Sequence, residues 1–246
     1  MRLPLRDLPE HRLAELHCAA QRSVSGFTRV TQAHGSLVQS WVRGAAVRAL
    51  DHYPDGGVVD HRHCSQLFYH CHRPGSTEHG HVHLFWHATR SGRRRYLGPA
   101  PTRRKGQPWD RTAPSHLVAI GLDARGLPVS LFTVNRWVTG GHWFDAPTTL
   151  GLVRRFSMQS VPGHEDSCEW VSGFVQLYEP MIERLMVARD RRLALMGPLR
   201  EALESRRIEV VSSVKLDWAG DLARLEQELA RRGLGQDGKS DFSVVA

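Results

Sequence analysis

The sequence predicts an α+β protein in which a central, mainly antiparallel β-sheet or open barrel is flanked by N- and C-terminal α-helices. Three observations predict it. Apolar residues keep helical spacing over the first fifty positions. Short period-two runs separated by turn residues take over from about Val58 to Phe174. Helical spacing returns from Ile182. The 246 residues suffice for one large core and are read as a single domain. Its expected parts are a helical segment 1–52, a β-rich metal-binding core 58–175, and a helical segment 176–233.

Asp7 and Glu10, with Pro9 between them, form a helix start of capping-box type, followed by Leu13, Leu16 and Ala20. Leu37, Val38, Trp41, Val42 and Ala45 make a second helical stripe that ends near His52-Tyr53-Pro54. Gln66–His72 and His79–Ala88 are expected to be paired strands, joined by 73–78. His116–Asp123 and Leu127–Asn135 form the next pair, around Asp123-Ala124-Arg125-Gly126. Between the pairs, Arg90–Arg111 holds eight cations and one acid, with Pro and Gly throughout, and is expected to be an exposed loop. Ile182, Leu185, Met186, Arg189, Leu193 and Met196 trace a helix that Gly197-Pro198 ends. Ile208–Val214 suits an edge strand, and Asp217 caps a last helix carrying Leu222, Leu225 and Leu229.

Composition excludes several classes. No apolar run approaches the ~18 residues of a membrane span, so no membrane partner is expected. The opening MRLPLRDLPEH lacks the apolar stretch of a secretory signal, and a cytoplasmic location is expected. Cys18, Cys64, Cys71 and Cys168 show no CxxC spacing. GxSxG, P-loop and GxGxxG-helix patterns are lacking, which removes support for serine hydrolases, NTPases and dinucleotide enzymes. The net charge is +8, yet 30 of the 33 cations are Arg scattered along the chain. That skew reads as base composition rather than a phosphate-binding surface.

Histidine is the count that needs a reason, because nine of 15 fall between His52 and His87. With period two, His79, His81, His83 and His87 share one strand face, while Val82, Leu84 and Trp86 take the other. A six-residue connection pairs His72 with His79, His70 with His81 and Phe68 with His83, so both histidine rows meet on one face. Crowded imidazoles repel when charged and need partners for two nitrogens each. A transition metal satisfies both demands. The expected ligands are His70, His72, His81 and His83, with Glu78 as a carboxylate ligand or general base and His79 as a second proton-transfer group. A solvated or hydrogen-bonded histidine strip is the plain alternative. His52, Asp60, His61 and His63 are read as an exposed loop or one wall of the pocket.

The order His70-x-His72, then Glu78, then further strand histidines resembles the metal-binding signature of cupins over some ten residues. That resemblance implies metal chemistry and not a cupin fold. A broader one is carried by His52-Tyr53-Pro54, Ser65-Gln66, His70-x-His72-Arg73, Glu78-His79-Gly80-His81-x-His83 and Asn135-Arg136-Trp137-Val138-Thr139-Gly140. These blocks look like an uncharacterised bacterial His-rich family, a domain of unknown function, and imply that they form one site.

In the second hairpin a four-residue loop sets His116 opposite Thr133, with Asn135 on the same face. Arg136 then offers a bidentate grip on a substrate anion, or else pairs with a structural acid. Asn135, Arg136 and His116 are thus the expected substrate-binding group. His142 is read as closing a pocket or lying on a turn, and 164–169 fits no ligand template. The leading expectation is an oxidoreductase or oxygenase acting on a small, possibly anionic molecule through one metal ion: iron first, then copper or zinc. The alternative is a non-catalytic metal- or haem-binding protein. A third reading, nucleic-acid binding through Arg90–Arg111, leaves the histidines unexplained.

Overall fold

The structure, a computed structural model, describes residues 2–71, 78–87, 113–159 and 161–234. Its long first helix, α1 (Glu10–His34), buries Leu13, Leu16, Ala20, Val24 and Phe27 along one stripe. Pro9, not an Asp7–Glu10 capping box, precedes it, with no side-chain cap. In the short α2 (Leu37–Val42), Ser36 Oγ accepts from Gln39 N at 3.2 Å, a standard N-cap.

Six strands follow as an antiparallel meander in chain order: β1 (Tyr53–Asp60), β2 (Ser65–His70), β3 (Gly80–Trp86), β4 (Ser115–Leu122), β5 (Pro128–Val134) and β6 (Val210–Lys215). Both ends are edges, so the sheet is open. The strand pattern does not continue to Phe174. Past Val134 the chain forms α3 (Arg136–Thr139), α4 (Ala146–Val153) and α5 (Glu165–Leu177). Asp145 Oδ1 caps α4 by accepting from Thr148 N, and the apolar runs of α4 and α5 serve helix packing. Then come α6 (Glu179–Ala194), α7 (Leu199–Glu204), the edge strand β6, and α8 (Trp218–Arg231), started by Asp217 Oδ1 accepting from Gly220 N.

The helices bury one face of this sheet. Leu67, Tyr69, Val82, Leu84, Val118, Ile120, Leu122, Leu131 and Val214 join α1, α2, α5, α6 and α8 in a single apolar cluster. Each fully buried Leu contributes roughly 1.5–3 kcal/mol there. Close helix packing depends on glycine: a Cβ on Gly173 would stand 2.6 Å from Ala19 O, so α5 lies against α1 only because that atom is missing. The opposite face carries Phe68 and His70 on β2, His81, His83 and Phe85 on β3, Ala119 and Gly121 on β4, and Ser130 and Phe132 on β5.

Candidate metal centre

The expected register of the first hairpin is the one found: His70 faces His81 and Phe68 faces His83. That pairing brings three imidazoles together. Ring centroids are 4.8 Å apart for His70–His81, 4.7 Å for His81–His83 and 5.3 Å for His70–His83. One nitrogen of each lies within 4.8 Å of the others, and the residues are only 8%, 5% and 2% exposed in chain order. Nitrogens sharing one ion at ~2.1 Å stand about 3.4 Å apart in tetrahedral geometry, a contraction that small ring rotations supply.

Two of the rings are oriented from behind. His81 Nδ1 bonds Glu78 Oε1 at 2.8 Å, and Glu78 Oε2 accepts from Ser130 Oγ at 3.2 Å. Gly121 makes room for this: a Cβ there would sit 2.4 Å from Glu78 Oε2 and 2.2 Å from Ser130 Oγ. His83 Nδ1 bonds His116 Nε2 at 2.9 Å. Burial, with the charges of Arg189 and His81 added, pushes the His116 imidazole down to about 3, so it is neutral at ordinary pH. Both pairings engage Nδ1, so Nε2 is the atom that His81 and His83 could each offer to an ion. Hydrogen bonding of the far nitrogen is the usual way a ligand histidine is fixed in tautomer and orientation.

His116 reaches this face by a device that period-two reasoning does not see. The pairing passes from Leu84↔Val118 to Phe85↔His116, so Leu117 is an extra residue, a β-bulge that resets the alternation. The expected His116–Thr133 pairing is not formed either. Ala119 pairs with Phe132, two residues away from that register, because the connection runs through a second irregularity at Leu122. Thr133 lies on the helix side, hydrogen-bonded to Ser212 Oγ at 2.7 Å.

Aromatic rings surround the histidines. Phe132 meets His81 edge-on at 5.1 Å, Phe68 stands 5.4 Å from His83, and Phe85 stands 5.3 Å from His116. His52 stacks on Phe68 at 3.9 Å and lies 5.7 Å from His70, so it is an exposed loop residue that also stands against this wall. Such rings exclude water and strengthen polar interactions among the imidazoles.

The remaining candidates separate from this cluster. His79 precedes β3, and its Nδ1 bonds the hydroxyl of helix-facing Tyr69 at 2.8 Å, so it leaves the face shared by His81 and His83. Glu78 stands behind His81. Asn135 starts α3 with its carbonyl and donates its amide to Ala202 O at 2.9 Å, while Arg136 pairs with Glu204. Those contacts tie α3 to α7, the structural alternative for this arginine. His63 Nδ1 holds Asp60 Oδ2 at 2.7 Å, and His61 is exposed. His142 is buried, its N–H donating to Pro114 O. Residues 164–169 begin α5, where Asp166 and Glu169 pair with Arg29. His72 and the Arg90–Arg111 segment lie outside the described residues. Sequence reasoning missed Phe132, Ser130, Ala119 and Gly121 as parts of the face. Phe132 and Ser130 share parity on β5, a usable signal; the two small residues on β4 gave none.

No helix among the described residues is long and apolar enough to cross a membrane. No curated protein and no solved structure matches the chain. Residues 17–216, which contain the whole sheet and all three clustered histidines, match the family described as a domain of unknown function (DUF6969), and the chain belongs to that family.

Proposed function

We propose that the protein is a mononuclear metalloenzyme in which His70, His81 and His83 hold one transition-metal ion and a small-molecule substrate meets it at the positions they leave open. The observation that carries this reading is the buried convergence of three imidazoles, two of them already oriented through Nδ1. Three rings directed at one point suit a bare ion better than haem, which takes one or two axial ligands. In its redox form the bound ion supplies O₂ or electron-transfer chemistry. The chain's own residues then orient the ligands and keep water out, with Glu78 and Ser130 forming the polar chain behind His81.

The donor set bears on the metal. Glu78 supports His81 from behind, so the carboxylate of a two-histidine, one-carboxylate iron triad is not among the three clustered donors. Copper therefore moves ahead of iron. A second reading, zinc activating water, is favoured by the same observation, since three histidines plus an open position is a catalytic zinc set.

Elemental analysis of untagged protein, purified away from nickel resin, tests both. One equivalent of copper or iron supports the redox form, and one equivalent of zinc supports the second. No bound metal after reconstitution with each ion overturns the metalloenzyme reading, and a Soret band replaces it with haem.

A further inference from the structure

The sheet face does not end at the histidines. One cross-strand row runs His81, Gly121, Ser130, Lys215 from β3 to β6, and the next runs His83, Ala119, Phe132, Ser213. A cleft of 740 Å³ runs along the β5–β6 end of these rows, lined by Glu78, His81, Ser130, Phe132, Ser213 and Lys215 among others. Glu78 fills the space over Gly121, and His81 and the β6 edge line one hollow beside it. Lys215 is the one lysine among the described residues.

We propose that the substrate is an elongated monocarboxylate, with its reacting end at His81, the member of the triad that lines the cleft, its apolar middle on Phe132 and its carboxylate on Lys215 and Ser213. This rests on the metal-centre reading and names its substrate class. Charge supports it. Glu78, the acid on this row, is engaged at both oxygens by His81 and Ser130. Glu209, the other acid lining the cleft, is six residues away along β6, roughly 20 Å at strand rise. Lys215 is the cation that lines the far end. Length supports it too. Three strand spacings separate His81 from Lys215, roughly 14 Å between backbones. Side chains leaning in from both ends shorten the span to roughly 8–10 Å, far beyond a molecule of three or four heavy atoms.

The test uses the whole chain loaded with one equivalent of zinc and titrated calorimetrically. The probes are acetohydroxamate, ω-carboxyalkyl hydroxamates of increasing methylene count, and their methyl esters. The expected result is a carboxylate-over-ester advantage of about tenfold, greatest where the spacer spans roughly 8–10 Å. K215M should abolish that advantage and leave acetohydroxamate binding and the melting temperature unchanged. S213A, a smaller change on the same strand, should reduce it. Acetohydroxamate binding with no length optimum, or an advantage that survives K215M, overturns the substrate assignment and leaves the metal centre standing. Failure to load zinc, copper or iron overturns the metal centre and the substrate assignment together, and a loaded protein that binds none of the probes overturns the substrate assignment alone.

Discussion

The two faces of this sheet are built from the same strands and solve opposite problems. On the helix side, Tyr69, Val82, Leu84, Val118 and Ile120 are fully buried and packed into the helical core. On the other side, residues one position along carry imidazoles, phenyl rings and hydroxyls, also buried but with polar atoms that must find partners. The first face stabilises the fold through burial. The second concentrates groups whose desolvation is unfavourable unless something binds them. Substitutions should therefore separate cleanly into those that change stability alone and those that change ligand binding alone.

The largest effect is expected on the helix side. Leu84→Ala removes a side chain with no exposure from the middle of β3 and should cost about 2–5 kcal/mol, read by denaturant unfolding. The protein that remains folded should still load one equivalent of metal, because His83 and Phe85 on either side point away from the cavity. Loss of metal in proportion to stability would mean that the two faces are not independent.

Substitution on the histidine side should invert that pattern. His70→Ala and His81→Ala should each abolish tight metal loading, and the double variant should be little worse, since ligands of one ion act as a unit. Added metal should raise the melting temperature of the parent protein by mass action, and this rise should vanish in both variants. His11→Ala and His17→Ala, both on α1, should keep it. An unchanged thermal response in the His70 and His81 variants would remove these residues from the site.

A smaller effect sharpens the distinction between holding an ion and orienting its holder. Glu78→Gln keeps an acceptor for His81 Nδ1 but removes the charge behind it. Supporting residues of this kind typically contribute 10–100-fold in metal affinity. The conservative change should fall near tenfold, measured by competition with a chelator, with stoichiometry still at one. Stoichiometry falling to zero would instead make Glu78 a ligand.

What could be read in advance follows the same division. The alternation of β2 and β3 was legible because the side-chain period of a strand is two, and a loop of known length fixes the register. His70 opposite His81 was deducible from residues 66–87 alone. The helix start at Asp217 was legible from local capping chemistry, whereas the cap at Ser36 went unread. Three further things were not legible. The Leu117 bulge that turns His116 toward His83 depends on how β4 pairs with β3, which the local sequence does not reveal. His79 was assigned to the face by parity, but it precedes β3 and is drawn to Tyr69. The helices α4 and α5 were hidden among turn residues, and the apolar runs between those turns looked like strands. Arg136 illustrates a further limit: an anion-gripping arginine and a structural one look alike until Glu204 is found beside it.

The last expected effect, on stability alone, lies where Asp60 ends β1. Its Oδ1 accepts from the N–H groups of Arg62 and His63, and its Oδ2 from Gln159 N and His63 Nδ1, both at 2.7 Å. Burial alone would raise this carboxyl's pKa. The N–H groups of Gln159 and His63 and the His63 ring outweigh burial and hold it below its ordinary value. The folded state therefore binds its proton less readily than the unfolded chain does. The stabilisation is complete above the ordinary carboxylate value of ~3.9 and is lost as pH falls through the lower folded value. Asp60→Asn keeps one acceptor oxygen but turns an NH₂ group toward the Gln159 N–H. At neutral pH this should cost about 1–3 kcal/mol, the range for a buried hydrogen-bonding group left unmatched. Unfolding curves for parent and variant should converge as the pH drops below ~3.9, since protonated Asp60 also presents a donor there. Metal loading at neutral pH should be the same in both. A stability gap that persists undiminished into acid would show that Asp60 acts through packing rather than charge. Reduced metal loading would show that the β1–β2 turn controls the histidine face.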